Sequence, residues 1–269
     1  MGETMRFRVG KNVPWLKFGV LFAVVFIVTV GVEGAFRYLE TEEVAVVPLA
    51  PMSVQAEVPD KIFRRKIEGK MLVALTFDDG PSAATTPRLL DILKEKEVVA
   101  TFFELGGKVR NNPEITQRAD REGHEIGSHT MYHQNLIRIS RAAVEADVGE
   151  AKGVFREVIG RETALTRAPY GNSNVVVAGI IGTPLIYWTV DTRDWEVLDT
   201  GRVIENAIGA ASDGAIILMH DIYGTTVDAV PAIIDGLRER GYEFVTVSEL
   251  AKARGVELQS GVVYYSFKP

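Results

Sequence analysis

The stretch Leu75-Thr76-Phe77-Asp78-Asp79-Gly80-Pro81-Ser82 decides how the chain is read. Met71 to Phe77 is nearly all apolar, as in a parallel strand buried on both faces, and charge begins only where that run stops. Neighbouring side chains on a strand point to opposite faces. Asp78 and Asp79 can therefore share one site only if the backbone turns at once, which Gly80-Pro81 allows. Two carboxylates forced together raise an electrostatic cost unless a cation or an arginine stands between them. The rest of the chain is expected to supply one.

Outward from this strand, short apolar runs alternate with longer amphipathic ones. Strands are expected over Met71–Phe77, Val99–Glu104, Glu125–Ser128, Leu165–Ala168, Leu185–Val190, Ala215–Met219 and Phe244–Val247. Helices are expected over Pro87–Lys96, Pro113–Glu122, Ser140–Ile159, Gly201–Ala211, Val227–Arg240 and Ser248–Arg254, with a short segment around Val175–Ile181. Strand and helix alternate about seven times, which predicts a parallel α/β fold closed, or nearly closed, into a barrel.

With 269 residues, 46% of them hydrophobic, the chain can bury a full core. It has no cysteine, so disulfides, thiolate metal sites and cysteine nucleophiles are excluded, and any metal must use His, Asp or Glu. Near the N-terminus, Arg6, Arg8, Lys11 and Lys17 precede Phe18–Val32, an uncharged run in which only Thr29 has a polar side chain. This reads as a membrane segment or a signal sequence, with an uncleaved anchor preferred because no clear Ala-x-Ala site follows the run. The basic flank keeps the first residues cytoplasmic and places the rest outside. The expected organisation is a cytoplasmic basic segment (1–17), a signal-anchor or signal sequence (18–36), an extended extracellular stem broken by Pro48, Pro51 and Pro59 (37–69), an α/β domain (70–255) and a C-terminal tail (256–269). Residues 1–37 carry a net +3 of the total −6, leaving −9 for the outer part. That balance argues against nucleic acid and fits a neutral or mildly cationic substrate.

In a fold of this kind catalytic groups collect where strands end. Just past the apolar runs stand Asp78 and Asp79; His129 and His133; Arg167 and Tyr170; Asp191, Asp194 and Trp195; and Leu218, His220 and Asp221. His129 and His133 are spaced to place both rings on one side of a turn, and a carboxylate from another strand end completes a two-His, one-carboxylate metal site. His124 precedes its strand and reads as structural.

Together, Thr76-Phe77-Asp78-Asp79-Gly80, His129-x-x-x-His133, Arg167-x-Pro169-Tyr170, Asp191-x-x-Asp194-Trp195 and Leu218-x-His220 resemble the five motifs of the NodB-like polysaccharide deacetylases, carbohydrate esterase family 4. The five occur in order over roughly residues 70–250 with no departure at a motif position. The resemblance implies a distorted (β/α) barrel and a divalent metal, most often Zn2+, on Asp79, His129 and His133 with positions left open for water and a substrate carbonyl. It implies Asp78 as the base acting on water, Arg167 holding Asp78 ionised and aimed, and the Tyr170 backbone N–H stabilising an oxyanion. His220 would protonate the departing amine, oriented by Asp194, which raises its pKa, and Trp195 and Leu218 would wall a pocket for the acetyl methyl. Asp191 is read as supporting or simply structural, and Asp221 and Tyr223 receive no role.

The activity so implied is removal of N-acetyl groups from N-acetylglucosamine residues of an extracellular polysaccharide. Peptidoglycan leads, and chitin-type or other poly-N-acetylglucosamine follows. A wall-binding module without turnover is the rival from another class, and it would be expected to lack one of Asp78, Asp79, His129, His133 or His220. Non-haem iron oxygenases also use two His and one carboxylate, but there the carboxylate lies near the first histidine, whereas Asp79 precedes His129 by fifty residues.

Overall fold

The computed structural model describes residue 67 and residues 69–269. The expected anchor or signal at 18–36, and the stem apart from residues 67 and 69, lie outside the described residues. Among the described residues no helix is long and apolar enough to cross a membrane.

The central strand is β1 (Met71–Asp78). Along one edge it pairs with β6 (Ala215–His220), in parallel register from Val73↔Ala215 to Asp78↔His220. The other edge is shared: β7 (Tyr242–Phe244) takes Met71 to Val73, and β2 (Thr101–Glu104) takes Thr76 to Asp78. Beyond β2 lies β3 (Glu125–Ser128), and beyond β6 lies β5 (Val190–Asp191), all parallel. The expected α/β fold with a parallel sheet is what the chain forms.

The strand expected at Val99–Glu104 is trimmed to Thr101–Glu104 and that expected at Phe244–Val247 lies at Tyr242–Phe244, while two others are broken up. Leu165–Ala168 is reduced to Thr166, which bridges Ser128 on one side and Leu185 on the other. Pro169 ends the run by removing a donor. Leu185–Val190 is split. Its first part, β4 (Leu185–Ile186), lies beside Thr166, while Thr189 N–H donates to Ile216 O at 3.1 Å and β5 joins β6. This one segment therefore spans from the β3 side of the sheet to the β6 side and draws it round into a ring. Residues of the expected tail contribute β8 (Val263–Tyr264), parallel to β4, and a buried Phe267.

The helices cover the outside. These are α1 (Thr86–Glu95), α2 (Gly106–Asn111), α3 (Pro113–Arg121), α4 (Arg141–Ile159), α5 (Val175–Ile181), α6 (Asp194–Val197), α7 (Thr200–Ala210), α8 (Gly224–Glu239) and α9 (Val247–Ala253). Ser140 caps α4 by accepting from Ala143 N–H, and Gly160 ends it at φ 74°. The alternation of β1 explains the two layers. Val73, Leu75 and Phe77 pack outward with Leu89, Leu90 and Leu93 of α1 and Ile233 and Ile234 of α8, each such burial worth about 1.5–3 kcal/mol. Leu72 and Ala74 face inward with Phe103, Ile186 and Ile216. Continuing the same period, Thr76 and Asp78 fall on the inner face at the C-terminal mouth of the ring.

Candidate active site

The register of β1 on β6 sets Asp78 directly beside His220. Each of these two groups is held by a buried partner of opposite character. Arg167 is fully buried in the ring, stacked on the Phe103 face at 4.1 Å, and donates through Nη1 to Asp78 Oδ1 at 2.6 Å and to Thr76 Oγ1 at 2.9 Å. Its Nε and Nη2 donate to the carbonyls of Ile186 and Tyr187 at 2.9 and 3.2 Å, so four acceptors fix one guanidinium. Burial pushes the Asp78 carboxyl above its ordinary range, against the lowering pull of Arg167 and His220. The resemblance has Arg167 hold Asp78 ionised and aimed, and the structure sets Arg167 Nη1 directly against Asp78 Oδ1.

On the other side, His220 Nδ1–H donates to Asp194 Oδ1 at 2.8 Å. Asp194 is fully buried and also accepts Thr226 Oγ1–H at 2.8 Å and Trp195 N–H at 2.9 Å. Burial alone would lower the His220 pKa, but the hydrogen bond and charge of Asp194, with Asp78 and Asp79 behind it, carry it up to about 9. The imidazole is therefore a cation at neutral pH.

Asp79 follows Asp78 in the left-handed region at φ 70°, and this single backbone reversal turns consecutive carboxylates to a common site. Its Oδ1 lies 3.5 Å from His129 Nε2 and 3.4 Å from His133 Nε2, buried and without a hydrogen-bond partner among the described residues. His129 Nδ1–H donates to Arg167 O at 2.7 Å, which leaves the Nε2 lone pair facing Asp79. Burial, against the pull of Asp79, holds the His129 pKa down to about 3, so the ring is neutral. An orphaned carboxylate oxygen facing two imidazole nitrogens, with the three ligand atoms within 4.8 Å of one another, suits a divalent cation such as zinc with open positions left over.

These groups surround a cavity of about 390 Å³ that is also lined by Tyr170, Trp195, Leu218, Trp188, Asp191 and Tyr223. Tyr170 sits at φ 62° in the turn after Arg167, its ring edge-on to His133 at 4.7 Å between centroids. Arg167 and Asp194 lie behind the wall. Asp191 lines the cavity while accepting Arg193 N–H at 2.8 Å. Asp221 is buried under Gly80 and accepts Thr86 Oγ1–H, and His124 is buried, accepting Ala100 N–H on Nδ1 at 3.2 Å. Trp188 was missed by sequence reasoning because it lies within an apolar run that reads as strand. It reaches the cavity because the strand breaks there, and its ring covers Gly171, where a Cβ would come within 3.0 Å of it.

Residues 65–181 match the family model described as polysaccharide deacetylase. A peptidoglycan-N-acetylglucosamine deacetylase of Bacillus cereus is 37% identical over 190 residues, covering 67% of this chain and 88% of that protein. The chain belongs to the polysaccharide deacetylase family. A second relative, a peptidoglycan-N-acetylglucosamine deacetylase of Listeria monocytogenes, is 41% identical over 216 residues, 80% of this chain. The chain spans only 44% of that longer protein. A solved structure described as T48 deacetylase with substrate superposes on the fold with a TM-score of 0.70 at 38% identity, covering 72% of this chain and 96% of that one.

Proposed function

We propose that the protein is a zinc-dependent N-deacetylase acting on N-acetylglucosamine residues of an extracellular polysaccharide, with peptidoglycan the principal substrate. The observation that carries this reading is the pairing of Asp78 and His220 across β1 and β6, each with its own buried counter-charge, beside a three-donor cluster. The names of the two bacterial relatives support the choice of polymer, and the net −9 of residues 38–269 is compatible with a neutral glycan.

Asp79, His129 and His133 would hold the metal. When bound, the ion supplies Lewis-acid polarisation of a carbonyl and a lowered pKa for water. Asp78 offers Oδ2, the oxygen not taken by Arg167 Nη1, to accept the proton of an attacking water. Attack on the acetyl carbonyl gives an oxyanion, toward which the backbone N–H of Tyr170 donates. As the C–N bond breaks, His220 gives the proton on Nε2 to the departing amine, while Asp194 keeps the ring oriented through Nδ1. The products are acetate and a free amine. Trp195 and Leu218 would hold the methyl. We further propose that 18–36 anchors the protein in the cell membrane with the catalytic domain outside, or directs its secretion if cleaved, and that the stem gives reach toward the wall.

Acetate release by the full-length chain, stripped of metal and then reloaded with zinc, tests this on N-acetylglucosamine oligomers and on purified peptidoglycan. Zinc-dependent acetate establishes the reaction and the ratio ranks the substrates. No acetate from either, with zinc bound, would move the weight to a binding module.

A further inference from the structure

Two of the three candidate metal ligands sit on residues 129–133, a loop held by neither helix nor strand, and inside it Thr130 and His133 both occupy the left-handed region, at φ 73° and 56°. Side-chain-bearing residues there cost about 1–3 kcal/mol each and persist only where the surroundings impose them. The carbonyl side of the loop is held by backbone: Gly106 and Gly107 N–H donate to Thr130 and Met131 O at 2.9 and 3.1 Å. The approach is close, since a Cβ on Gly106 would lie 2.7 Å from Met131 Sδ. On the amide side, His129 N–H donates to Glu104 O at 2.8 Å and Thr130 N–H to Ser128 Oγ at 3.2 Å, and the next two amides turn to a side chain of α4. There Met131 N–H donates to Asp147 Oδ1 at 2.8 Å, and Tyr132 N–H also faces that carboxylate.

Asp147 is in the middle of α4 on the face that buries Val144, Val148 and Ala151, and is itself only 4% exposed. A carboxylate in an apolar helical stripe does nothing for the helix, whose interior disfavours Asp, and it is costly to desolvate. Among the described residues no cation pairs with it, and Oδ2 accepts no hydrogen bond. What the side chain does accomplish is to accept the amides of the loop that carries His129 and His133.

We propose that Asp147 is a positioning residue for the metal site, holding the 129–133 loop in the conformation that aims both imidazoles at Asp79. The proposal rests on the metal-dependent reading above. Its experiment uses the full-length chain with two substitutions. Asp147→Leu is nearly isosteric, refills the apolar stripe and removes the acceptor; Asp147→Asn keeps an oxygen for Met131 N–H. Zinc affinity is measured by chelator competition, ligand geometry by the visible absorption of the cobalt-loaded protein, and folding by thermal unfolding of the metal-free form. The expected result is that Asp147→Leu binds zinc about 10–100-fold more weakly and shifts the cobalt bands with an undiminished unfolding midpoint, while Asp147→Asn stays close to wild type. Wild-type affinity and spectrum in Asp147→Leu would overturn the proposal, and so would equal losses in both variants. If Asp147→Leu does not fold, Asp147→Ala, which also removes the acceptor, takes its place, weakened zinc binding and shifted cobalt bands supporting the proposal and wild-type values refuting it. None of these readouts depends on cleavage, so wild-type acetate release tests the underlying reading separately.

Discussion

Asp194 accepts both hydrogen bonds that His220 turns toward it, the ring Nδ1–H at 2.8 Å and the backbone N–H at 2.7 Å. The carboxylate therefore fixes the tautomer, the orientation and the charge of the ring at once. With the His220 pKa at about 9, the ring is protonated at neutral pH, and if it acts as the proposed acid, activity should fall as pH rises through about 9. In Asp194→Asn the ring loses its counter-charge and its pKa should drop toward ~6.5 or below. At pH 8 turnover should then fall by about 10²–10⁴-fold, with the alkaline limb displaced to lower pH. A pH–rate profile of the variant with its limb unmoved would remove Asp194 from this role.

Replacing Arg167 with lysine keeps the charge but not the fork. Lysine cannot reach Asp78, Thr76, Ile186 O and Tyr187 O together, so buried acceptors are left bare. Arg167→Lys should lose about 3–5 kcal/mol of stability in denaturant titration, along with most turnover. A variant as stable as wild type would show that the four contacts are dispensable.

Base and metal ligand separate cleanly by substitution. Asp78→Asn should bind zinc about as well as wild type and lose about 10²–10⁴-fold in kcat, whereas His129→Ala should lose both. Excess zinc, at about 1,000 times Kd, should raise wild-type stability by about 4 kcal/mol and leave His129→Ala almost unchanged. Robust acetate release from Asp78→Asn would exclude it as the base.

His124 supplies a pH effect on folding that is independent of the site. Burial lowers its pKa to about 4, so between the ordinary ~6.5 and 4 the unfolded chain binds the proton and the folded chain does not. The stability it contributes is complete above ~6.5 and shrinks as pH falls, by about 3 kcal/mol in all. Unfolding midpoints of wild type and His124→Phe from pH 7 to 4 should diverge in slope. Parallel slopes would assign acid sensitivity elsewhere.

Much of this was legible because parallel strands advertise their ends. The alternation of strand and helix gave the fold class, and five strand ends read together gave candidate residues that the chain brings to one mouth. The left-handed reversal at Asp79 was foreseen as a need for a turn, though Gly80 was expected to provide it. Long-range partners left no signal. Nothing local marks Thr166 as a lone bridge, or Leu185–Val190 as a strand that changes neighbours midway and so delivers Trp188 to the cavity. Asp147 carries no local signal within its long helix, because the loop amides it faces lie sixteen and fifteen residues earlier.

The segment that closes the ring passes over Arg167, and two of its carbonyls, Ile186 and Tyr187, accept from the same guanidinium that aims Asp78. Fastening the barrel and arming the base are thus a single event. A chain whose seam has not closed has no oriented Asp78 carboxylate. Loss of turnover on warming should accordingly track the opening of that seam and precede loss of the helices, which makes catalysis itself the most local thermometer of ring closure.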